Sequence, residues 1–232
     1  MISKRFQYSY SDYDNLIESF IFDGIRICEI GLSGKPSIKS SEIKRRKLNY
    51  TIIDVETFHW KNSNLEVEKF EIDLQKEFSE ELRGRFDLII SQMTLEHIQF
   101  PKPFHKNVLA MLSEGGSAVY LCANPFSLSA VCNRILPEKL GHNILKLIGN
   151  RNFNYDQKYL AFYNWCFSNE KKVVANFGSL GYTIIELNTY LGHNYFQRVP
   201  ILNQLEQLYS WVLCKFNFKK FSTLSLIHVR KK

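Results

Sequence analysis

No two of the five cysteines, Cys28, Cys122, Cys132, Cys166 and Cys214, form a Cys-x-x-Cys pair, and none stands at metal-ligand spacing from a histidine. The pattern supports neither a disulfide framework nor a zinc site, and no metal is expected. Scattered and odd in number, these residues read as buried free thiols of a reducing compartment. No run approaches the roughly 18 apolar residues of a membrane span. The opening stretch, MISKRFQYSYSDYDNL, holds no apolar segment of the signal-peptide kind, so a cytoplasmic, soluble protein is expected. Linkers, internal repeats and low-complexity tracts are also missing, which points to one domain over residues 1–232.

What is there is ordinary globular material: 45% hydrophobic and 23% charged residues in 232. A chain of this length buries roughly 70% of its unfolded surface and needs no staples. Thirty basic against twenty-three acidic residues leave +7, an excess that permits an anionic partner without requiring one.

Apolar runs alternate with helical patterns. Arg26–Gly31, Asn49–Asp54, Leu65–Asp73, Phe86–Ser91 and Ser117–Cys122 read as strands, the last two nearly continuous in apolar residues, as strands covered on both faces are. Helices are expected over residues 37–47, 74–83 and 103–113, with Gly115-Gly116 stopping the last and launching the next strand. Strand, helix, strand at this spacing means βαβ units and a parallel sheet. Further on, residues 126–150 show broken helical spacing and residues 156–178 read as one helix. Tyr182–Asn188 and Thr223–Val229 are the last strands, with an amphipathic helix over residues 201–216 between them.

The first strand runs into Glu29-Ile-Gly31-Leu-Ser-Gly34-Lys35. A glycine turn there lets backbone approach a ligand at the strand C-termini, where such sheets bind. The dinucleotide fingerprint fails, because only Gly31 and Gly34 are present. A phosphate loop fails too, since Glu29 and Pro36 occupy positions that need glycine and a hydroxyl residue. Asp54 closes the second strand, where an acid can accept both ribose hydroxyls of an adenosine, and Asp73 closes the third, within reach of an adenine amino group.

Phe86-Asp-Leu-Ile-Ile-Ser-Gln-Met-Thr-Leu-Glu-His-Ile98 and Leu112-Ser-Glu-Gly-Gly116 then stand in sequence. With these in place the chain resembles the class I S-adenosylmethionine-dependent methyltransferases of the small-molecule, type-11-like kind, strongly over residues 24–124. The resemblance implies a Rossmann-like α/β fold with a seven-stranded mixed sheet, helices on both faces and a helical cap over residues 125–180. Residues 181–232 would supply the last two strands and their connecting helix. S-adenosylmethionine is the implied cofactor. Glu29, Gly31, Leu32, Ser33 and Gly34 would form its methionine turn, Asp54 and Val55 would meet the ribose, and Asp73 and Leu74 the adenine. Ser91, Gln92 and Met93 would lie beside the transferred methyl. The family's glycine pattern is broken at Ser33 and Lys35.

Once a sulfonium is placed, catalysis is mostly in-line positioning. An oxygen or nitrogen acceptor also needs a general base with a pKa near working pH, and His97, in the loop after the fourth strand, is the candidate. His142 and His193 rank below it, with Tyr159, Tyr163 and Trp165 as candidate walls of an acceptor pocket. Asn124-Pro125-Phe126 looks like an amino-methylating motif but follows the fifth strand rather than the fourth, and is discounted. The expected reaction is methyl transfer to a small-molecule, glycan or lipid-linked acceptor. Rival readings are an inactive scaffold, which predicts no cofactor binding or no turnover, and an RNA methyltransferase. The latter would use Lys39, Lys44, Arg45, Arg46, Lys47 and the basic C-terminus, yet no nucleic-acid-binding module is visible, and a solvated basic face is the favoured reading. Residues 126–150 and 201–220 pair apolar stripes with lysines, as helices at a membrane surface do.

Overall fold

The computed structural model describes residues 4–32, 36–56, 66–135, 160–193 and 196–232. Its centre is one sheet of eight strands. In chain order these are β1 (Lys4–Arg5), β2 (Arg26–Ile30), β3 (Asn49–Asp54), β4 (Glu68–Glu71), β5 (Phe86–Gln92), β6 (Leu112–Ala123), β7 (Tyr182–Leu191) and β8 (Leu224–Lys231). Their spatial order is β1-β7-β8-β6-β5-β2-β3-β4. Only β8 runs antiparallel to its neighbours β6 and β7. The expected seven strands are all present. The eighth is Lys4–Arg5, a two-residue strand alongside Tyr190–Leu191, too short to leave an apolar signature.

The helices are α1 (Ser9–Glu18), α2 (Ser40–Arg45), α3 (Pro101–Met111), α4 (Leu128–Ile135), α5 (Glu170–Gly178) and α6 (Pro200–Lys215). Alternation along the strands splits the core into two layers. Cys28, Ile89, Ala118 and Tyr120 face one side, with Phe104, Val108 and Phe177. Ile27, Leu88, Ile90, Val119 and Leu121 face the other, with Tyr13, Ile17 and Ile43. The near-continuous apolar runs of β5 and β6 thus reflect burial on both faces.

Several expected elements take another form. Gly115 and Gly116 lie inside β6: its pairing with β5 steps from Phe86↔Leu112 to Leu88↔Ser117, so five residues oppose two. Gly115, at φ +72°, turns that bulge, and the helix before it stops at Met111. Residues 74–83 form a turn and a short 3-10 segment (Glu80–Leu82), not a helix. The carbonyls of Leu74 and Glu77, which a helix would use, accept instead from Asn107 Nδ2 at 2.9 and 3.2 Å. Of the helix expected over residues 156–178, the described part, from residue 160 on, is helical only over Glu170–Gly178, begun by the Asn169 side chain accepting from Lys172 N–H. Residues 160–167 form an irregular strap with a turn at Asn164-Trp165, whose Tyr163 and Trp165 sit at φ +56° and +60°. The stretch 125–180, expected as a helical cap, contains α4, this strap and α5, and its residues 136–159 lie outside the described residues.

Candidate active site

The strand order reverses between β2 and β5, and the crevice outside the carboxyl ends of strands at such a point is where open α/β sheets bind ligands. A cavity of about 610 Å³ opens there. Ile30, Ile53, Leu74, Ile98 and Phe104 give it an apolar lining, to which Asp54, Glu56 and Asp73 add carboxylates.

Each wall is fixed by a local device. Gly31 leaves β2 at φ +78° and its N–H donates to Ile53 O at 2.9 Å, tying the first turn to the neighbouring strand. A side chain at this position would run into Thr94. Asp54, only 6% exposed, accepts from Leu32 N–H at 2.7 Å and from Glu56 N–H at 3.1 Å. Those bonds fix the plane of the carboxylate, and a carboxylate offers about four acceptor sites. Asp73 closes an Asx-type turn, accepting from Gln75 N–H at 3.0 Å and from Lys76 Nζ at 2.7 Å. Burial pushes its carboxyl up, but the bonds from Lys76 and Gln75 prevail and hold it below the usual value.

Of the residues expected at the site, Gly31, Asp54, Val55, Asp73, Leu74 and His97 line this cavity. Glu29, Leu32, Ser91, Gln92 and Met93 do not line it. Glu29 is buried on the far side of β2, where it accepts from Ser37 N–H at 3.0 Å and from Tyr50 OH at 2.5 Å. Burial raises its carboxyl although these bonds pull the other way. Ser91 Oγ donates to Ile30 O at 2.9 Å, clamping β5 to β2 beneath the turn. Met93 adopts φ +53° and donates its N–H to Leu121 O at 2.7 Å, so strained backbone lies at the switch point. Ser33, Gly34, His142 and Tyr159 lie outside the described residues.

Four contributors went unread in the sequence. Thr94 follows the expected trio directly, and Gln75 follows Asp73-Leu74, so adjacency could have found both. Gln75 Oε1 accepts from Gln99 N–H at 2.8 Å and Phe100 N–H at 3.0 Å, holding the entry of α3 to the Asp73 side of the cavity. Leu160 and Phe162, in the strap, carry no sequence signal at all.

The strap itself is held by backbone. The N–H groups of Phe162 and Tyr163 donate to Glu96 O at 2.7 and 2.9 Å. His97 Nδ1 lies 2.9 Å from Leu160 O. A carbonyl can only accept, so Nδ1 carries the hydrogen and Nε2 is the basic nitrogen. Burial lowers the His97 pKa, partly opposed by the Leu160 bond, which favours a neutral imidazole at pH 7. Tyr163 and Trp165 do not reach this cavity. Trp165 stacks on His105 with centroids 5.4 Å apart, and Arg134 sits 4.7 Å over the Tyr163 ring. His193 is beside α6, where its N–H donates to Glu206. Asn124, fully buried, donates to Ser222 and Ser225 Oγ at 2.7 and 2.9 Å, cross-linking the end of β6 to the start of β8.

Solved structures match this architecture over nearly the whole chain. A methyltransferase from Mesorhizobium loti, described as S-adenosylmethionine-dependent, superimposes with a TM-score of 0.56 at 12% identity, over 94% of this chain and 96% of that one. The fold is that of the class I S-adenosylmethionine-dependent methyltransferases. The N-methyltransferase NodS from Bradyrhizobium japonicum, solved with S-adenosyl-l-homocysteine, has a TM-score of 0.55 at 15% identity, over 97% and 86%. Phosphoethanolamine N-methyltransferase 2 from Haemonchus contortus, solved with S-adenosyl-L-methionine, has 0.54 at 12%, over 95% of this chain and 52% of its own length. No family model and no curated protein sequence matches.

The cavity of this methyltransferase fold suits the cofactor's chemistry. It offers an apolar lining for a heterocycle, oriented carboxylates for hydroxyl and amino donors, and negative charge for a sulfonium. Among the described residues, no group of three His, Cys, Asp or Glu could hold a metal ion. Cys28, Cys122 and Cys166 are buried free thiols.

Proposed function

We propose that this protein transfers a methyl group from S-adenosylmethionine to a small-molecule, glycan or lipid-linked acceptor. The observation that carries the reading is the convergence of Gly31, Asp54 and Asp73, from the ends of three adjacent parallel strands, on one cavity at the switch point.

S-adenosylmethionine supplies an activated methyl group when bound. In this reading Asp54 accepts the ribose hydroxyls, with its plane set by Leu32 and Glu56 N–H. Asp73 and Leu74 flank the adenine. Ile98, Phe104 and the strap residue Phe162 exclude water from the slot. His97 Nε2 takes the proton that an oxygen or nitrogen acceptor must lose, its ring held by Leu160 O. The basic helix α2 gives the RNA reading little support. Arg45 and Arg46 both pair with Glu42, Arg46 also pairs with Glu18, and Lys44 lies 3.6 Å from Glu66, so much of the charge is met within the chain.

Calorimetric titration with S-adenosylmethionine and S-adenosylhomocysteine tests the reading. Micromolar binding of both, weakened about 10- to 100-fold by Asp54→Ala as the loss of hydrogen bonds to a charged group predicts, is the expected result. No binding to the folded wild-type chain would sink the proposal.

A further inference from the structure

Helix α6 is inside out. Its buried residues are Glu206, Ser210 and Leu213. Glu206 Oε1 accepts from His193 N–H at 2.9 Å and from Ser210 Oγ at 2.6 Å, so the polar face seals the turn that follows β7. Gly192 in that turn, at φ +87°, passes so close that a side chain there would meet Glu206 Oε1 at 2.8 Å.

The opposite face is apolar and faces water. Ile201, Leu205, Leu208, Val212 and Phe216 follow helical spacing along one stripe. Ile201 is 73% exposed, Leu205 58%, Leu208 59% and Phe216 59%, with Leu202, Tyr209 and Trp211 exposed beside them. Single exposed apolar residues need no explanation, but a contiguous stripe marks an interaction surface.

Charge says what meets it. After Glu206 the chain contains no further acid, while Lys215, Lys219 and Lys220 follow the stripe. Lys219 and Lys220 also line a second cavity of about 540 Å³, at the ends of β6 and β7, with Lys171 and Lys172 from α5 and one acid, Glu170. Lys220 Nζ lies 5.0 Å over the Phe126 ring and Lys172 Nζ 5.3 Å over Phe167. Among the described residues none of these four lysines is in an ion pair. A second copy of the chain would bring the same lysines to the same face, with no acid on the stripe to receive them. An anionic lipid surface supplies both an apolar layer and phosphates. No helix among the described residues is long and apolar enough to cross a membrane, so contact would be in the interfacial plane.

We propose that α6 lies on an anionic phospholipid surface, with its apolar stripe in the interface and a lipid phosphate taken by the lysine-lined cavity beside it. The proposal stands apart from the methyl-transfer reading, because neither the stripe nor the lysines touch the cavity at the switch point. The test is co-sedimentation of the full chain with phosphatidylcholine vesicles, with and without one third phosphatidylglycerol, at low and high salt. Binding should need phosphatidylglycerol and weaken at high salt. Lys219→Gln with Lys220→Gln should weaken it about tenfold or more, and Leu205→Glu with Leu208→Glu should abolish it. All four positions are at the surface, so the melting temperature and S-adenosylhomocysteine binding should not move. Should the glutamate variant fail to fold, the lysine variant and the salt dependence decide alone. Equal binding to both vesicles, or none, overturns the proposal. So does sedimentation velocity showing a dimer that Leu205→Glu with Leu208→Glu dissolves, which would make the stripe a contact between copies.

Discussion

Gly31 and Thr94 compete for one space: a Cβ built on Gly31 would lie 2.7 Å from Thr94 Cγ2 and nearer still to Oγ1. The first turn and the loop after β5 are thereby locked together at the switch point. Gly31→Ala meets two penalties, a left-handed backbone that alanine resists and a side chain with nowhere to go. Each costs about 1–3 kcal/mol. Urea unfolding of Gly31→Ala should show a loss of about 2–4 kcal/mol, partly restored by adding Thr94→Ala, which clears the nearer atoms but not the backbone strain. A loss below about 0.5 kcal/mol would mean the two loops part freely.

Gln75 controls the opposite wall. Its Oε1 serves the N–H groups of both Gln99 and Phe100 just before α3, so Gln75→Ala leaves two donors without that acceptor. The expected cost is about 1–2 kcal/mol. Amide exchange should accelerate at Gln99 and Phe100 while β5 stays protected. Unchanged exchange at both would show that water replaces the side chain without penalty.

How far the sequence could be read follows from these contacts. The parallel strands were legible because burial on both faces writes continuous apolar runs, as in Phe86-Asp-Leu-Ile-Ile. Asp54 and Asp73 were legible as strand-ending acids. Helix α1 was not: its buried residues, Ser9, Tyr13 and Ile17, are spaced four apart but include only one aliphatic. The segment 74–83 misled for the opposite reason. Leu74, Phe78 and Leu82 have helical spacing, yet Asn107, distant in sequence, captures the carbonyls a helix needs. The strap was hard to read because Leu160, Phe162 and Tyr163 are held through their main-chain atoms, by His97 Nδ1 and Glu96 O, which leaves no residue-type preference at those three positions.

His105 should make stability fall in acid. It is 1% exposed among Phe104, Tyr120, Trp165 and Phe177, and its Nδ1 has no hydrogen-bond partner among the described residues. Burial lowers its pKa from 6.5 to about 3. The unfolded chain binds this proton near 6.5 and the folded chain resists it to about 3, so the contribution is complete above 6.5 and drains away as pH falls through that window. Between pH 7 and pH 5 the loss attributable to His105 is about 2 kcal/mol. His105→Phe keeps the aromatic cluster and removes the titration. Its unfolding free energy should drop less than the wild type's over that interval, and parallel curves would place the acid sensitivity elsewhere.

His97 offers the sharpest division between binding and chemistry. Its ring is oriented by Leu160 O and lowered in pKa by burial, so it is ready to accept a proton at neutral pH. If it serves as base, the rate for an oxygen or nitrogen acceptor should fall only below the ordinary histidine range, since the limb follows the lowered pKa. His97→Gln keeps a polar side chain of similar reach but cannot take the proton. It should cost about 10²–10⁴ in kcat, remove the acid limb of the rate profile, and leave S-adenosylhomocysteine affinity within about threefold. A kcat near wild type would leave His97 as a positioning residue for the strap. A matching collapse of cofactor affinity would place it in the binding wall instead, because a group that only moves a proton contributes to the transition state and not to the bound cofactor.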